Sequence, residues 1–219
     1  MGTDNLGRDM LSRLIFGARN TVGLALATTL LAFAIGLSTG LSAAVVGGYL
    51  DLLLGRAVDV LMAIPQLIFA LLILAVVGPS AVSMICVVAV LESTRIFRLA
   101  RAVGMSIVAM DFVDVARLRG ESLGSIVFRE VLPNAAAPLV AEFGLRFCFV
   151  FLFVSALSFL GLGLQPPAAD WGSMVHDNAS LITFGDITPL IPAAAIAILT
   201  IGVNFVVDWY LSISSRTAH

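Results

Sequence analysis

The chain reads as an all-α integral membrane protein, a polytopic bundle of five transmembrane helices. Three observations predict this. Of its 219 residues 60% are hydrophobic and 12% charged, at a mean hydropathy of +1.07, where a soluble domain is about one quarter charged. The apolar residues gather in runs of about twenty, the length that crosses ~30 Å of hydrocarbon at ~1.5 Å per residue. The arginines are spread unevenly between those runs, as the positive-inside rule expects of a multi-pass protein. A net charge of -2 argues against nucleic acid as a partner and leaves membrane lipid as the surroundings.

The chain opens with "MGTDNLGRDMLSRLIFGA", which has no basic segment followed by an apolar core and so is not a cleaved signal peptide. Five spans follow, over Thr21–Val46, Ala57–Val77, Ala81–Ala102, Ala135–Leu160 and Ile187–Leu211. Each has to be helical, because open backbone in lipid leaves its hydrogen bonds unmade. In the first, Gly36 and Gly40 form a G-x-x-x-G pair that lets another helix approach, for packing rather than as a dimer signal. Pro65 and Pro192 are expected to kink their spans or to sit where neighbouring helices compensate.

Arginine bias orients the bundle. The connection between the third and fourth spans holds Arg117, Arg119 and Arg129, with Arg95, Arg98 and Arg101 leading into it. The connection between the fourth and fifth, around Trp171, has none. The first is therefore cytoplasmic and the second external; Arg56 and Arg216 agree. The N-terminus conflicts, since residues 1–18 fall outside yet carry Arg8 and Arg13. A further span preceding this chain would carry that segment across.

The cytoplasmic stretch "DFVDVARLRGESLGSIVFREVLPN", Asp111–Asn134, is the longest polar run. It reads as a short helix, a turn at Gly120 and a second helix. Phe112, Val115 and Ala116 share one face of the first helix, opposite Asp114 and Arg117. Leu123, Ile126 and Val127 repeat at helical spacing in the second, which ends near Pro133. Gly120 permits positive φ and close approach by another chain. An interfacial helix resting on headgroups is the plainer alternative.

The spacing decides between them by resemblance. Asp114-Val115-Ala116, then Gly120, then Leu132-Pro133 is similar to the EAA loop of binding-protein-dependent ABC importer permeases, with Asp in place of Glu and Val in place of the first Ala. "GTDNLGRDMLSRLIFGAR", "AVDVLMAIPQLIFALLILAVVGPS" and "LSFLGLGLQPPAADWGSM" resemble the dipeptide/oligopeptide/nickel subfamily. The resemblance implies a type I ABC importer permease fold without the first of its usual six helices. It divides the chain into an extracytoplasmic pre-span segment (1–18), a permease domain (19–212) containing the coupling loop (111–133), and a short cytoplasmic tail (213–219), in the bacterial inner membrane. Asp114, Val115, Ala116, Gly120, Leu123, Leu132 and Pro133 would form the coupling helix that docks on an ATPase. The implied partners are a homologous second permease, two cytoplasmic ATPase domains and an extracytoplasmic solute-binding protein. Peptides are the implied cargo, with nickel or glutathione-type solutes as the alternative.

All twelve basic residues are arginine. A nucleotide-binding G-x-x-x-x-G-K-[ST] loop needs a lysine on the phosphates, so this chain supplies no such loop and ATP belongs to partner subunits. No cofactor is expected in the chain itself. Glu92, Glu142, Arg146 and Asp208 fall in or near spans, where an ionised side chain costs ~2.5–3.5 kcal/mol at the bilayer centre. Each should therefore face protein or water. Glu142 and Arg146, at i and i+4, can pair on one helix or line the translocation path. Glu92 begins a stripe with Arg95, Arg98 and Arg101, whose arginines reach for the inner interface; it lines the path or pairs with Arg95. An ion-coupled secondary transporter would use such acids as proton carriers, but the inverted repeats that would favour it are missing. A membrane enzyme is disfavoured by the lack of H-E-x-x-H, a nucleophile elbow or a His-paired Cys. Cys86 and Cys148 lie in apolar runs as packing residues, His176 is a loop residue, and the "NAS" sequon at Asn178 carries no weight.

Overall fold

A computed structural model describes Gly2, Asp4 and residues 6–216, excluding the side chains of 210, 211 and 213–216. The expected tail therefore lies largely outside the described residues. The fold is all-α. Its elements are α1 Met10–Val46, α2 Gly48–Ala63, α3 Gln66–Val77, α4 Ala81–Val108, α5 Asp111–Leu118, α6 Leu123–Ser125, α7 Leu132–Asn134, α8 Ala136–Leu157, α9 Trp171–Asn178 and α10 Leu190–Arg216. A π turn, Ile126–Val131, joins α6 to α7, and another, Ser158–Leu162, extends α8.

Helices α1, α8 with its extension, and α10 are long and apolar enough to cross a membrane. The second expected span is not one straight helix: α2 and α3 meet at 88°. The break falls at Ile64 and Pro65, whose extended ψ angles of 132° and 113° end one helix before the next begins. Proline drives this, since it disfavours helical backbone in the residue before it and offers no N–H. The third expected span, α4, has the length but carries Glu92, Arg95, Arg98 and Arg101, and does not qualify as a span on composition. Pro192 makes no kink. It sits in the first turn of α10, where a missing N–H costs nothing.

Local chemistry sets the helix ends. Asp9 accepts from the Ser12 N–H to start α1 at Met10, eleven residues before the expected span at Thr21. Gly47 and Gly48, at φ 63° and 57°, turn the chain into α2. Ser80 and Ser83 cap α4 reciprocally, the capping-box arrangement.

The centre of the bundle is the parallel pair α1 and α4. A Cβ on Gly36 would lie 2.6 Å from the Ile96 Cβ, and one on Gly40 would lie 2.7 Å from the Phe97 carbonyl oxygen. Gly104 answers from α4, where a Cβ would sit 2.8 Å from that of Ala44. These glycines thus allow backbone-close packing within the chain. Helix α8 packs on α1, and α10 on α8.

The two ends of the bundle have separate cores. At the Trp171 end, Met10, Leu74, Met84, Phe151, Trp171 and Met174 pack together. At the Gly120 end, Leu41, Val45, Ile107, Val113, Ala116 and Ile126 do so. The N-terminal segment belongs to the first: the Trp171 indole donates to the Leu14 carbonyl (2.8 Å), the Asn20 amide donates to the Ala169 carbonyl (2.7 Å), and Arg8 reaches Asp177 at 3.5 Å.

Candidate functional site

The polar stretch folds as a hairpin against the ends of α1 and α4. Helix α5 stops because Gly120 adopts φ +78°, open to glycine and costly for other residues. The turn is closed by the Gly120 N–H on the Arg117 carbonyl (3.0 Å) and the Glu121 N–H on the Ala116 carbonyl (3.2 Å), which satisfies carbonyls the helix end would leave orphaned. Arg117 ties the hairpin to α1 by donating to the Val45 carbonyl at 3.1 Å. Arg119 reaches Glu121 at 2.8 Å and Glu130 at 3.9 Å, across the turn.

The buried face of α5 differs from the expected one. Val113 and Ala116 are sealed against Val45, Ile107, Ile126 and Val131. Phe112 and Val115 are exposed, because α5 is rotated to follow the α1–α4 seam. Val115 thus occupies a position where its extra bulk meets no neighbour within the core. In the second limb Ile126 and Val127 are buried, whereas Leu123 is exposed. Leu132 is half-buried and Pro133 exposed, both on the rim of an apolar groove with Phe33, Leu37 and Phe143. Asp114 and Leu118 project outward, and a Cβ on Gly120 would meet nothing within 4 Å. The turn is bare on its outer side.

The charges within the bundle form one connected network. Arg146 on α8 pairs with Glu142 one turn earlier and reaches Glu92 on α4 at 3.3 Å. Glu92 also accepts from the Gln66 amide, at the start of α3. Gln66 in turn accepts from Arg95 at 3.3 Å, so Arg95 meets Glu92 through Gln66 rather than directly. Glu92 is 3% exposed and the Arg146 side chain 13%, burial that a carboxylate and a guanidinium tolerate only when paired. The network therefore braces α3, α4 and α8 just beyond the Pro65 break. A second tie, Arg101 to Asp51, clamps α4 to α2. At the opposite end burial pushes the Asp4 carboxyl up, but the Arg8 backbone N–H and guanidinium outweigh this and hold it below its ordinary 3.8.

Residues 32–218 match the family described as the binding-protein-dependent transport system inner membrane component. The chain belongs to this family. As a family member it resembles the dipeptide transport system permease protein DppC of Alkalihalophilus pseudofirmus, with 33% identity over 94% of this chain and 68% of that one. It resembles the peptide transport system permease protein SapC of Escherichia coli at 38% identity, over 95% and 70% of the two chains. In fold it is similar to the methionine ABC transporter MetNI in an inward-facing conformation, at TM-score 0.71 and 18% identity, covering 93% of this chain and 97% of that one. An amino acid ABC transporter follows at 0.65 and 19% identity, over 93% and 98%.

Within this inner-membrane permease fold two participants escaped the sequence reading. Gln66 is uncharged and sits in an apolar run, so only its position after Pro65 marked it. Asp51 lies 50 residues from Arg101, and no local pattern announces a pair that distant.

Proposed function

We propose that the chain is a permease subunit of an ATP-driven importer, passing short peptides that an extracytoplasmic binding protein delivers. Its Asp111–Pro133 hairpin, on the cytoplasmic side, is the element that separate ATPase subunits move. A homologous permease provides the other wall of the pathway. The hairpin's outer surface carries this reading. Its inner face is locked by Val113, Ala116 and Arg117, while the turn at Gly120 is left open. A helix resting on headgroups has no need of a rigid root and a bare turn; a lever pushed by another subunit needs both. Peptide as cargo rests on the dipeptide and peptide permeases that the chain resembles.

ATP binding and closure of the ATPase pair would shift the hairpin. Its fixed root then carries the motion into α1 and α4, a rigid-body form of alternating access. The test is Gly120→Trp. A bulky side chain at φ +78° on the docking face should leave membrane insertion intact, weaken ATPase co-purification and abolish peptide-stimulated ATP hydrolysis. Asp114→Lys should act the same way more mildly. Normal stimulation in Gly120→Trp would remove the lever role.

A further inference from the structure

The polar groups between α2 and α4 exceed what the tie between those helices requires. They line a cleft of about 800 Å³ that includes Asp51, Arg56 and Asp59 on α2 with Phe97, Arg98 and Arg101 on α4. That volume falls in the roughly 300–1,000 Å³ range of small-ligand sites. Asp51 and Arg101 are engaged with each other. The other three charges make no direct ion pair, although Asp59 lies within electrostatic reach of Arg101. Among the described residues Arg56 and Asp59 make no hydrogen bond or ion pair, and Arg98 makes one hydrogen bond, to the Met62 sulfur at 3.7 Å. A second cleft, of about 260 Å³, follows the same helices to Gln66 and Arg95 at the Pro65 break. Charges of both signs therefore line the first cleft, and the second lies further along the same helices, at the Pro65 break.

In a membrane protein such charges need water or a counter-charge. We propose that the α2–α4 cleft is a subsite of the translocation pathway that receives a short peptide as a zwitterion. Arg56 and Arg98 take its carboxylate and Asp59 its ammonium group. This rests on the reading of the chain as a peptide permease. A guanidinium fork matches a carboxylate in two hydrogen bonds, and Asp59 beside the arginines suits a ligand carrying both charges. The Asp51–Arg101 pair keeps its own acid out of competition for the free arginines. Side chains held in no ion pair bind cargo without trapping it, since no preformed cage has to be broken for release.

The test uses the complete importer, with its partner permease, ATPases and binding protein, in vesicles supplied with labelled tri-alanine. Arg56→Gln with Arg98→Gln should lower uptake about tenfold or more, since both guanidinium contacts to the carboxylate are lost. Complex assembly and binding-protein-stimulated ATP hydrolysis should hold, and Arg98→Lys, which keeps the charge but loses the fork, should recover only part of the uptake. The deficit should be the same in phosphatidylcholine vesicles and in vesicles of phosphatidylethanolamine with phosphatidylglycerol. Unchanged uptake in the double variant overturns the subsite. A deficit confined to the second lipid mixture assigns the arginines to lipid headgroups and also overturns it, as does a parallel fall in ATP hydrolysis. No tri-alanine uptake by the unsubstituted importer sinks the peptide reading itself, and the subsite with it.

Discussion

Arg146 sits between two carboxylates and joins them, Glu142 on its own helix and Glu92 on α4. Replacing it with Met would fill the space and leave Glu92 nearly sealed from solvent, with the Gln66 amide as its only partner among the described residues. Removing one member of a buried ion pair costs about 3–5 kcal/mol, because the other charge is stranded. Arg146→Met should therefore lower the melting temperature of the purified protein markedly. Arg146→Met with Glu92→Gln and Glu142→Gln should recover most of that loss. A single variant as stable as the parent would show that water already reaches Glu92.

At the scale of elements the α1–α4 pair is the rigid part, and glycine makes it so. Gly36 faces Ile96 and the Ser93 carbonyl at distances that admit no Cβ without movement. Gly36→Leu should force the two helices apart and cost about 1–3 kcal/mol or more, the range of overpacked cores. The hairpin packs on the far ends of both helices, so the damage should reach it. Thermal melting together with faster proteolysis at Arg119 is the expected signature. Leu substituted for Gly23, which has nothing within 4 Å of its would-be Cβ, is the control and should be tolerated. Sensitivity at Gly23 equal to that at Gly36 would place the decisive contact outside this chain.

For the whole molecule the geometry makes a topological statement. Leu6 and Phe184 are exposed at the Trp171 end, and Leu118 at the Gly120 end. With Cys86 and Cys148 replaced by Ala, single cysteines at Leu6 and Phe184 should react with an impermeant thiol reagent added outside intact cells. A cysteine at Leu118 should react only after lysis. Labelling of Leu118→Cys in intact cells would invert the bundle and remove the hairpin from the reach of cytoplasmic ATPases.

Composition and the length of the apolar runs were enough to place the chain in a membrane as helices, because a continuous apolar run of about twenty residues satisfies its backbone hydrogen bonds in lipid within itself only as a helix. The turn at Gly120 was equally legible, since only glycine takes φ +78° cheaply. Which face of α5 is buried was not, because Val113, Phe112 and Val115 are all apolar and only the direction of the α1–α4 seam chooses among them. The 88° break was only half visible: Pro65 marks a discontinuity, but the angle depends on what α2 and α3 pack against. The partners of Glu92 and Asp51 lay beyond sequence altogether. Gln66 is 26 residues from Glu92, Arg146 is 54 residues from it, and Arg101 is 50 from Asp51. Local periodicity reports neighbours within a turn or two, and only folding brings charges so far apart in the chain close enough to neutralise one another.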